Sequence, residues 1–443
     1  MHGSATFGGI AGAIAICALL IAAPDAASRV VKAPVFYIAP ENTADTDPFF
    51  QRAGLRLTGA CADGGDNPVP TITVTSGADN AMVHVNAQAP MALAYAEDDD
   101  FDQGDSFSLF GSLGINAAFV GGQLVFSRPD GRHVTVTWGR TPALELGQPQ
   151  RCALFGIARI ASRGRDPRTR KRIDFRAGEG AKKRVLRAGG LALRARCTDA
   201  GRLGVVARTG VDHSVLGANV QAASFNDVAV DGNLREREGV DLFGRLGGGR
   251  DDAVGQLVYA NPRGSVVSVD WLAEEADAYG GRRACAFVGT ARITGERSRE
   301  RLYFARRRSR PFLTPRQGAR GVPAPDYERV LSQPPFELFA ACAHPQGGDG
   351  RLFGRATVAA AGAAVGAEQA AAEAEIMGGT SALGSSFLLL SAPTRSVGHA
   401  AAMTTTGAMF ATSWLAQQHV ALGKPARRKL CLLAGTTERI PAP

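Results

Sequence analysis

The stretch that decides the fold is CALFGIARI, Cys152 to Ile160, because the chain contains it three times. It returns as CAFVGTARI at Cys285 to Ile293 and as CLLAGTTERI at Cys431 to Ile440. Each copy closes a segment that opened with another cysteine. The sequence therefore predicts three tandem versions of one domain.

The cysteines support this division. The chain has seven of them, and Cys17 lies in the N-terminal apolar segment. The other six are spaced as pairs with separations of 91, 88 and 89 residues. An even number of cysteines in an exported chain indicates disulfides. Because one pair falls in each repeat, we expect pairing within each repeat: Cys61–Cys152, Cys197–Cys285 and Cys342–Cys431.

The N-terminus has the pattern of an export signal. An uncharged apolar run extends from Gly8 to Ala23, and Pro24 and several small residues follow it. This pattern is typical of a cleaved signal peptide, and the run is short for a membrane span. We predict a signal peptide at residues 1–28 and an extracellular or cell-surface location. A retained N-terminal anchor is the alternative, since no Lys or Arg precedes the run. We expect no other integral membrane segment.

Local patterns predict an all-β fold. The strands LRLTGAC (Leu55 to Cys61) and TITVT (Thr71 to Thr75) alternate apolar and polar residues, and a hairpin signature follows at Gln123 to Trp138. The second repeat matches the first at a constant offset of 133 from Asp79 onward. We predict three β-sandwich-like domains at residues 48–160, 186–293 and 333–440. In the divergent third repeat, the alanine-rich segment Ala359 to Ala374 is a candidate short helix.

Each repeat has one tryptophan shortly before its closing strand. These are Trp138, Trp271 and Trp414, and we interpret them as core anchors. The alternative is an exposed aromatic ring that stacks on sugars. In immunoglobulin domains the tryptophan follows the first cysteine, so the order here excludes that pattern.

The positive charge of the chain is concentrated between the repeats. Arg163 to Arg187 has eleven Lys and Arg against three acids, and Arg292 to Arg320 has ten against two. Together these two segments carry a formal charge of +16. Because the net charge of the whole chain is +9, the rest of the chain carries −7. We predict extended basic linkers at residues 161–185 and 294–332, joining independently folded domains.

The linkers are also the predicted contact surface for acidic partners. Such runs are usually solvated spacers, but they also suit envelope polymers or acidic glycans. Binding of this kind is independent of sequence, so we expect no specific recognition of nucleic acid. The residues expected to make the contacts are the two most basic clusters: Arg170, Lys171, Arg172, Arg306, Arg307 and Arg308.

Catalytic and metal-binding patterns are weak. The histidines occupy no equivalent repeat positions, and no metalloprotease, hydrolase or nucleotide-binding motif is present. Asp98, Asp100 and Asp102 have the alternate spacing of calcium ligands, but Leu109 stands where an EF-hand requires glutamate. We interpret them as a solvated acidic loop and expect neither a metal nor a cofactor.

These patterns favour an exported structural or binding protein with an unidentified ligand over an enzyme. A secreted hydrolase of envelope polymers or glycans, with its active site in only one repeat, is the alternative. A third reading is a processed precursor, because the arginine clusters suit trypsin-like cleavage.

Overall fold

The computed structural model describes residues 30–442 except 41, 45–46, 63–68, 90–91, 110–119, 143–150, 163–167, 223–224, 246–251, 276–277, 281–282, 307–309, 313–326, 346–350, 359–362, 371–378, 381–385, 393–394 and 421–429. The predicted signal peptide lies outside the described residues. The described chain is nearly all β and forms six antiparallel-dominated sheets. We group these sheets into unit 1 (residues 31–161), unit 2 (170–294) and unit 3 (301–440).

Unit 1 contains a six-stranded sheet of order β1-β11-β10-β9-β6-β7 and a smaller sheet of order β2-β4-β5-β8, with β3 paired to β4. Its strands are β1 (Val31–Pro40), β2 (Thr43–Ala44), β3 (Phe50–Arg52), β4 (Leu55–Ala62), β5 (Val69–Ser76), β6 (Ala81–Ala89), β7 (Ala92–Phe101), β8 (Ser106–Ser108), β9 (Val120–Ser127), β10 (His133–Pro142) and β11 (Arg151–Ala161).

Unit 2 repeats this plan, with a large sheet of order β12-β21-β20-β19-β16-β17 and a small sheet of order β13-β14-β15-β18. It also has a short helix α1 (Leu242–Arg245) and a 3-10 turn at Ala278–Gly280. Its strands are β12 (Arg170–Ala177), β13 (Lys182–Ala188), β14 (Leu191–Cys197), β15 (Leu203–Thr209), β16 (Ser214–Ala222), β17 (Phe225–Leu234), β18 (Gly239–Asp241), β19 (Asp252–Ala260), β20 (Val266–Glu274) and β21 (Cys285–Thr294).

Unit 3 has a large sheet of order β22-β32-β31-β30-β27-β28 and a small sheet of order β23-β25-β26-β29, with β24 paired to β25. Its strands are β22 (Arg301–Arg306), β23 (Arg310–Phe312), β24 (Glu328–Gln333), β25 (Phe336–Pro345), β26 (Arg351–Val358), β27 (Ala363–Ala370), β28 (Gly379–Thr380), β29 (Ser386–Ala392), β30 (Arg395–Thr404), β31 (Met409–Val420) and β32 (Leu430–Ile440). The alanine-rich segment predicted as a helix contains β27, which pairs with β30. Pairing with a neighbouring strand overrides the helical preference of alanine.

In each unit the large and small sheets pack face to face around a shared core, as in a β-sandwich. In unit 1 this core joins Leu57 and Ile72 of the small sheet to Val136 and Leu154 of the large one. A disulfide links the two sheets in every unit, and the pairs are the expected ones: Cys61–Cys152, Cys197–Cys285 and Cys342–Cys431.

The repeated motif supplies the second strand of each large sheet, and both of its faces are buried. In β11, Cys152 and Leu154 point into the unit 1 core, whereas Phe155 and Ile157 belong to a separate apolar cluster on the outer face. A strand buried on both faces is apolar throughout and does not alternate. This explains the composition of the motif.

The motif glycine lies directly opposite the tryptophan on the neighbouring strand. Gly156 pairs with Trp138, Gly289 with Trp271 and Gly435 with Trp414. The three tryptophan side chains are fully buried, as expected of core anchors. A Cβ atom on Gly289 would lie 2.1 Å from the carbonyl oxygen of Asp270, so no larger residue fits there.

The outer faces of the large sheets pack against each other, so the three units form a closed ring of contacts. One apolar cluster joins units 1 and 2, a second joins units 2 and 3, and a third joins units 1 and 3. In each contact the motif strand of one unit packs against an inner strand of another unit. β11 packs against β30, β21 against β9, and β32 against β19. The units are therefore not separate beads on a string.

A buried ionic network lies where the three units meet. Arg159 of unit 1 contacts Glu438 of unit 3 at 2.6 Å and Asp270 of unit 2 at 3.0 Å. Arg292 lies 3.2 Å from Asp270, and Arg170 lies 3.0 Å from the second oxygen of Glu438. Arg159, Arg292 and Glu438 occupy equivalent places, each three residues after the motif glycine. At this place units 1 and 2 therefore have a positive charge and unit 3 has a negative one.

The segments predicted as flexible linkers contain strands. Within 161–185, β12 pairs with β21 along its whole length and β13 begins at Lys182. Within 294–332, β22 pairs with β32. In β12 the apolar residues Ile173 and Phe175 alternate with charged ones and are buried, which gives the strand an inner face. Each large sheet therefore begins one strand before the predicted repeat.

Candidate functional site

The predicted polyanion contacts of the first basic cluster are used inside the protein. Arg170 pairs with Glu438 and Glu300, and Arg172 pairs with Asp174 and donates to the carbonyl of Gly131. Their side chains are only 17% and 21% exposed. These arginines hold β12 in place, so they are poorly placed to bind a ligand.

The other predicted contacts give less information. Lys171 donates to the backbone carbonyl of Arg187. Arg306 is the last residue of β22, and Arg307 and Arg308 lie outside the described residues. A dense group of exposed cations lies instead on the small sheet of unit 2.

We call this surface the basic face; it is the solvent side of β13, β14 and β15. The four strands of this sheet contain seven Lys and Arg residues and one acid, Asp241 at the β18 edge. The cationic residues are all exposed: Lys182, Lys183, Arg184, Arg187, Arg194, Arg196 and Arg208. None of them forms an ion pair with another described residue.

The alternation of β14 places its arginines on the solvent side. Leu191, Leu193 and Ala195 point into the core, and Arg194 and Arg196 point outward. In β13 the register shifts between Arg184 and Leu186. This bulge adds one residue, so that Arg184 and Arg187 both face solvent although three positions separate them.

The β13–β14 hairpin is held rigidly at its tip. Gly189 and Gly190 both have positive φ, 55° and 91°, which a two-residue type I′ turn requires. Asn261 donates to the carbonyl of Gly189 at 2.7 Å, and Gly210 donates to that of Gly190 at 2.8 Å. The arginines therefore project from a fixed framework.

Cations lie directly opposite each other across β13 and β14. Lys182 pairs in register with Arg196, and Arg184 with Arg194. Like charges at directly opposite positions destabilise a sheet, each pair by a few tenths of a kcal/mol up to about 1 kcal/mol. The fold alone gives no reason for this arrangement, whereas a bound anion would.

Two adjoining grooves cross the basic face. The larger has a volume of about 910 Å³ and is lined by six arginines together with small and neutral residues. The arginines are Arg184, Arg187, Arg194, Arg208, Arg237 and Arg263. The smaller groove is lined by Lys182, Lys183 and Arg196 along with three of the same arginines. Neither groove has an acidic residue among its described lining residues.

The equivalent strands of the other units lack the two arginines of β14. Counting back from the first cysteine of each unit, Thr58 and Ala60 in β4 occupy the places of Arg194 and Arg196. Phe339 and Ala341 occupy them in β25. The same sandwich therefore forms without arginine at these two positions.

Asp98, Asp100 and Asp102, the weak calcium candidates of the sequence, are not brought into one cluster of possible ligand atoms. Asp98 accepts a hydrogen bond from the backbone of Asp100, and Asp102 accepts one from Asn80 at 2.8 Å. These bonds lie at the end of the sheet where the chain enters β6 and leaves β7. Among the described residues, the group with metal-ligand geometry is instead formed by His84, Asp99 and Glu274.

Comparison with protein-family models, with curated proteins and with solved structures found no match. No helix in the described part of the chain has the length and hydropathy needed to cross a membrane. Three disulfides in an all-β chain are consistent with an extracellular protein.

Proposed function

We propose that this chain is an exported structural or binding protein that binds acidic polymers through the basic face of unit 2. The observation that carries the proposal is the array of exposed cations on β13, β14 and β15 with no ion-pair partner among the described residues. The leader-like N-terminus and the three disulfides support export.

An extended anion suits this face better than a single small one. The cations are spread over three strands, which lie about 4.8 Å apart, and along each strand they are about 7 Å apart. A linear polymer with regularly spaced carboxylate, sulfate or phosphate groups meets several of these cations at once. Arginine contributes forked donors that match such groups in a bidentate manner.

The small residues around the hairpin tip keep the groove open. Gly189, Gly190 and Gly210 line its floor, so the flanking guanidinium groups are accessible from solvent. Chains of envelope phosphate polymers and acidic glycans have the chemistry that this groove would recognise. Recognition through charge density is independent of monomer sequence and weakens steeply with salt.

The test is retention on heparin, used as a defined polyanion probe, with the complete chain. Arg194→Thr together with Arg196→Ala introduces the residues that unit 1 has at these places. Each lost charge-assisted contact is worth about 1.5 kcal/mol, so the double variant, which loses two, should bind on the order of a hundredfold more weakly. The slope of log affinity against log salt should fall by roughly 1.5 for two lost contacts.

The matched control removes two positive charges elsewhere. Arg52→Thr with Arg297→Ala changes exposed residues that line neither groove. If both double variants lost the same retention, net charge and not the basic face would be responsible. Unchanged retention of Arg194→Thr/Arg196→Ala would refute the proposed site. Because the variant also removes like-charge pairs, we expect its thermal stability to equal or exceed that of the parent chain.

A further inference from the structure

A second polar site lies at the contact between units 1 and 2, away from the basic face. It contains His84 from β6, Asp99 from β7 and Glu274 from the end of β20. One ligand atom from each of the three side chains lies within 4.8 Å of the other two. His84 and Glu274 are fully buried.

The distances match the edges of a metal coordination polyhedron. Nε2 of His84 lies 3.1 Å from Oδ1 of Asp99 and 3.5 Å from Oε2 of Glu274. In a tetrahedral zinc site with bonds of about 2.1 Å, neighbouring ligand atoms are about 3.4 Å apart. Two of the three distances between ligand atoms therefore lie close to this value, and the third is no longer than 4.8 Å.

Both ring nitrogens of His84 have polar partners. Nδ1 lies 2.8 Å from the hydroxyl of Tyr95, which contacts Glu97, and Nε2 faces the two carboxylates. In the tautomer with its proton on Nδ1, the lone pair of Nε2 is directed at the two carboxylates, an arrangement that a cation between them would stabilise. A metal-binding histidine usually has this kind of outer partner.

Glu274 gives an independent indication of a ligand. Its Oε2 atom is buried, points into the cluster and has no hydrogen-bond partner in the described part of the chain. Asp252 lies directly opposite it on β19 and brings a further carboxyl group to the site. A buried carboxylate in these surroundings gains much from a bound cation.

The equivalent contact between units 2 and 3 lacks the cluster. At the offset of 133, Gly217 and Gly232 occupy the places of His84 and Asp99. Gln417 occupies the place of Glu274, because each lies three residues after the tryptophan of its unit. A Cβ atom on Gly232 would lie 3.0 Å from the amide nitrogen of Gln417, so these residues do face each other. At these three positions the contact between units 2 and 3 therefore has two glycines and an amide where the contact between units 1 and 2 has the ligand-type residues.

From this geometry we propose that His84, Asp99 and Glu274 bind a divalent transition-metal ion of the zinc type that links unit 1 to unit 2. One imidazole nitrogen with carboxylate oxygens is a donor set that suits zinc better than calcium, which prefers oxygen alone. Asp252 or water would complete the coordination. All six cysteines of the units are in disulfides and do not compete for the metal.

The experiment uses the complete chain, freed of metal with a chelator and passed through a sizing column. Zinc content is then measured after equilibration with Zn²⁺, and affinity is measured by competition with a chromophoric chelator. We expect one tightly bound zinc per chain and a higher melting temperature with zinc. Glu274→Gln, which introduces the amide found at position 417, should weaken binding by at least tenfold and abolish the thermal shift.

Two further variants separate a metal site from a merely structural cluster. Tyr95→Phe leaves all ligands in place but removes the partner of Nδ1, so we expect binding about 10- to 100-fold weaker. Asp100→Asn is the control, because Asp100 is an exposed carboxylate on the same strand as Asp99. It should bind zinc like the parent chain.

Two results would overturn the proposal. One is the absence of a stoichiometric zinc site in the parent chain. The other is an unchanged affinity in Glu274→Gln, which would place the metal elsewhere. If Glu274→Gln does not fold, Asp99→Asn replaces it, since Asp99 is partly exposed and the substitution is nearly isosteric. Parent-like zinc affinity in a folded Asp99→Asn variant would contradict the proposal equally.

Discussion

Replacing Glu438 by glutamine tests whether the ionic network holds the three units together. The substitution keeps the shape of the side chain and removes its charge. Arg159, Arg170 and Arg292 would then remain around a neutral amide, with Asp270 as the nearest acid in the network. Arg159 and Arg292 are fully buried, so water cannot solvate the uncompensated charge.

Two estimates give the size of the effect. Removing one partner of a buried ion pair typically costs about 3 to 5 kcal/mol. Burial alone would raise the pKa of Glu438, but the charges of Arg159, Arg292 and Arg170 lower it from 4.5 to about 2. A lowering of this size corresponds to roughly 3 kcal/mol of stability in the ionised state. Both estimates predict a loss of about 3 kcal/mol or more.

The lowered pKa also predicts how stability changes with pH. A carboxyl group whose pKa is lower in the folded state stabilises the protein above its unfolded pKa. That contribution is lost as the pH falls from about 4.5 towards the folded value of about 2. We therefore expect the parent chain to lose stability over this window. Glu438→Gln should lose less over the same window, because the group no longer titrates.

The assay is urea unfolding, followed by the fluorescence of the three buried tryptophans, at pH 7 and at steps down to pH 2. Glu337→Gln is the control, since Glu337 forms only a partly exposed pair with Arg329 at 3.1 Å. Its loss should stay below about 1 kcal/mol. A loss below about 1 kcal/mol for Glu438→Gln would refute the role given to the network, as would identical pH profiles for parent and variant.

Two further changes test the framework of the units. Gly289→Ala should destabilise unit 2 by about 3 kcal/mol or more in urea unfolding, because the new Cβ atom meets the backbone of Asp270. The control is Gly178→Ala, whose new Cβ atom has no other atom within 4 Å and which should change stability by less than about 1 kcal/mol. Replacing both Cys197 and Cys285 by alanine opens a loop of 88 residues and should cost about 4.6 kcal/mol in the chain-entropy model, measured as a lower unfolding midpoint; an unchanged midpoint would contradict that account.

The sequence allowed correct predictions wherever the pattern lay within a single strand or in the spacing of the repeats. The all-β class, the disulfide pairs and the buried tryptophans followed from local alternation and from the spacing of the repeats. The linker prediction was wrong because charge was averaged over 25 residues or more. Within that average, Ile173 and Phe175 of β12 alternate with charged residues, and this pattern indicates a strand with one buried face.

The contacts between units and the candidate metal site depend on residues far apart in the chain. His84 and Glu274 lie on different units, so no motif spacing could connect them. One signal for the ring was present in the motif itself. Phe155 and Ile157 lie on the face opposite Leu154, and a strand apolar on both faces must be covered on both.

The charges at equivalent positions decide which unit can form a ring from copies of itself. The network positions hold Arg159 with Thr137 in unit 1, Arg292 with Asp270 in unit 2, and Glu438 with Ser413 in unit 3. Three copies of unit 1 would bury three arginines without an acid, and three copies of unit 3 would bury three glutamates without a base. Only three copies of unit 2 balance arginine against aspartate.

We therefore expect isolated unit 2, residues 168–300, to associate into trimers when it carries Glu274→Gln. That substitution supplies the amide that faces Gly217 and Gly232 in the complete chain, and it avoids three buried acids. Sedimentation equilibrium would measure the association. Isolated unit 2 with both Glu274→Gln and Asp270→Asn should be monomeric, because a trimer of this variant would bury three unpaired arginines. A monomeric Glu274→Gln piece at high concentration, or an equally trimeric double variant, would show that the central charges do not determine how the units assemble.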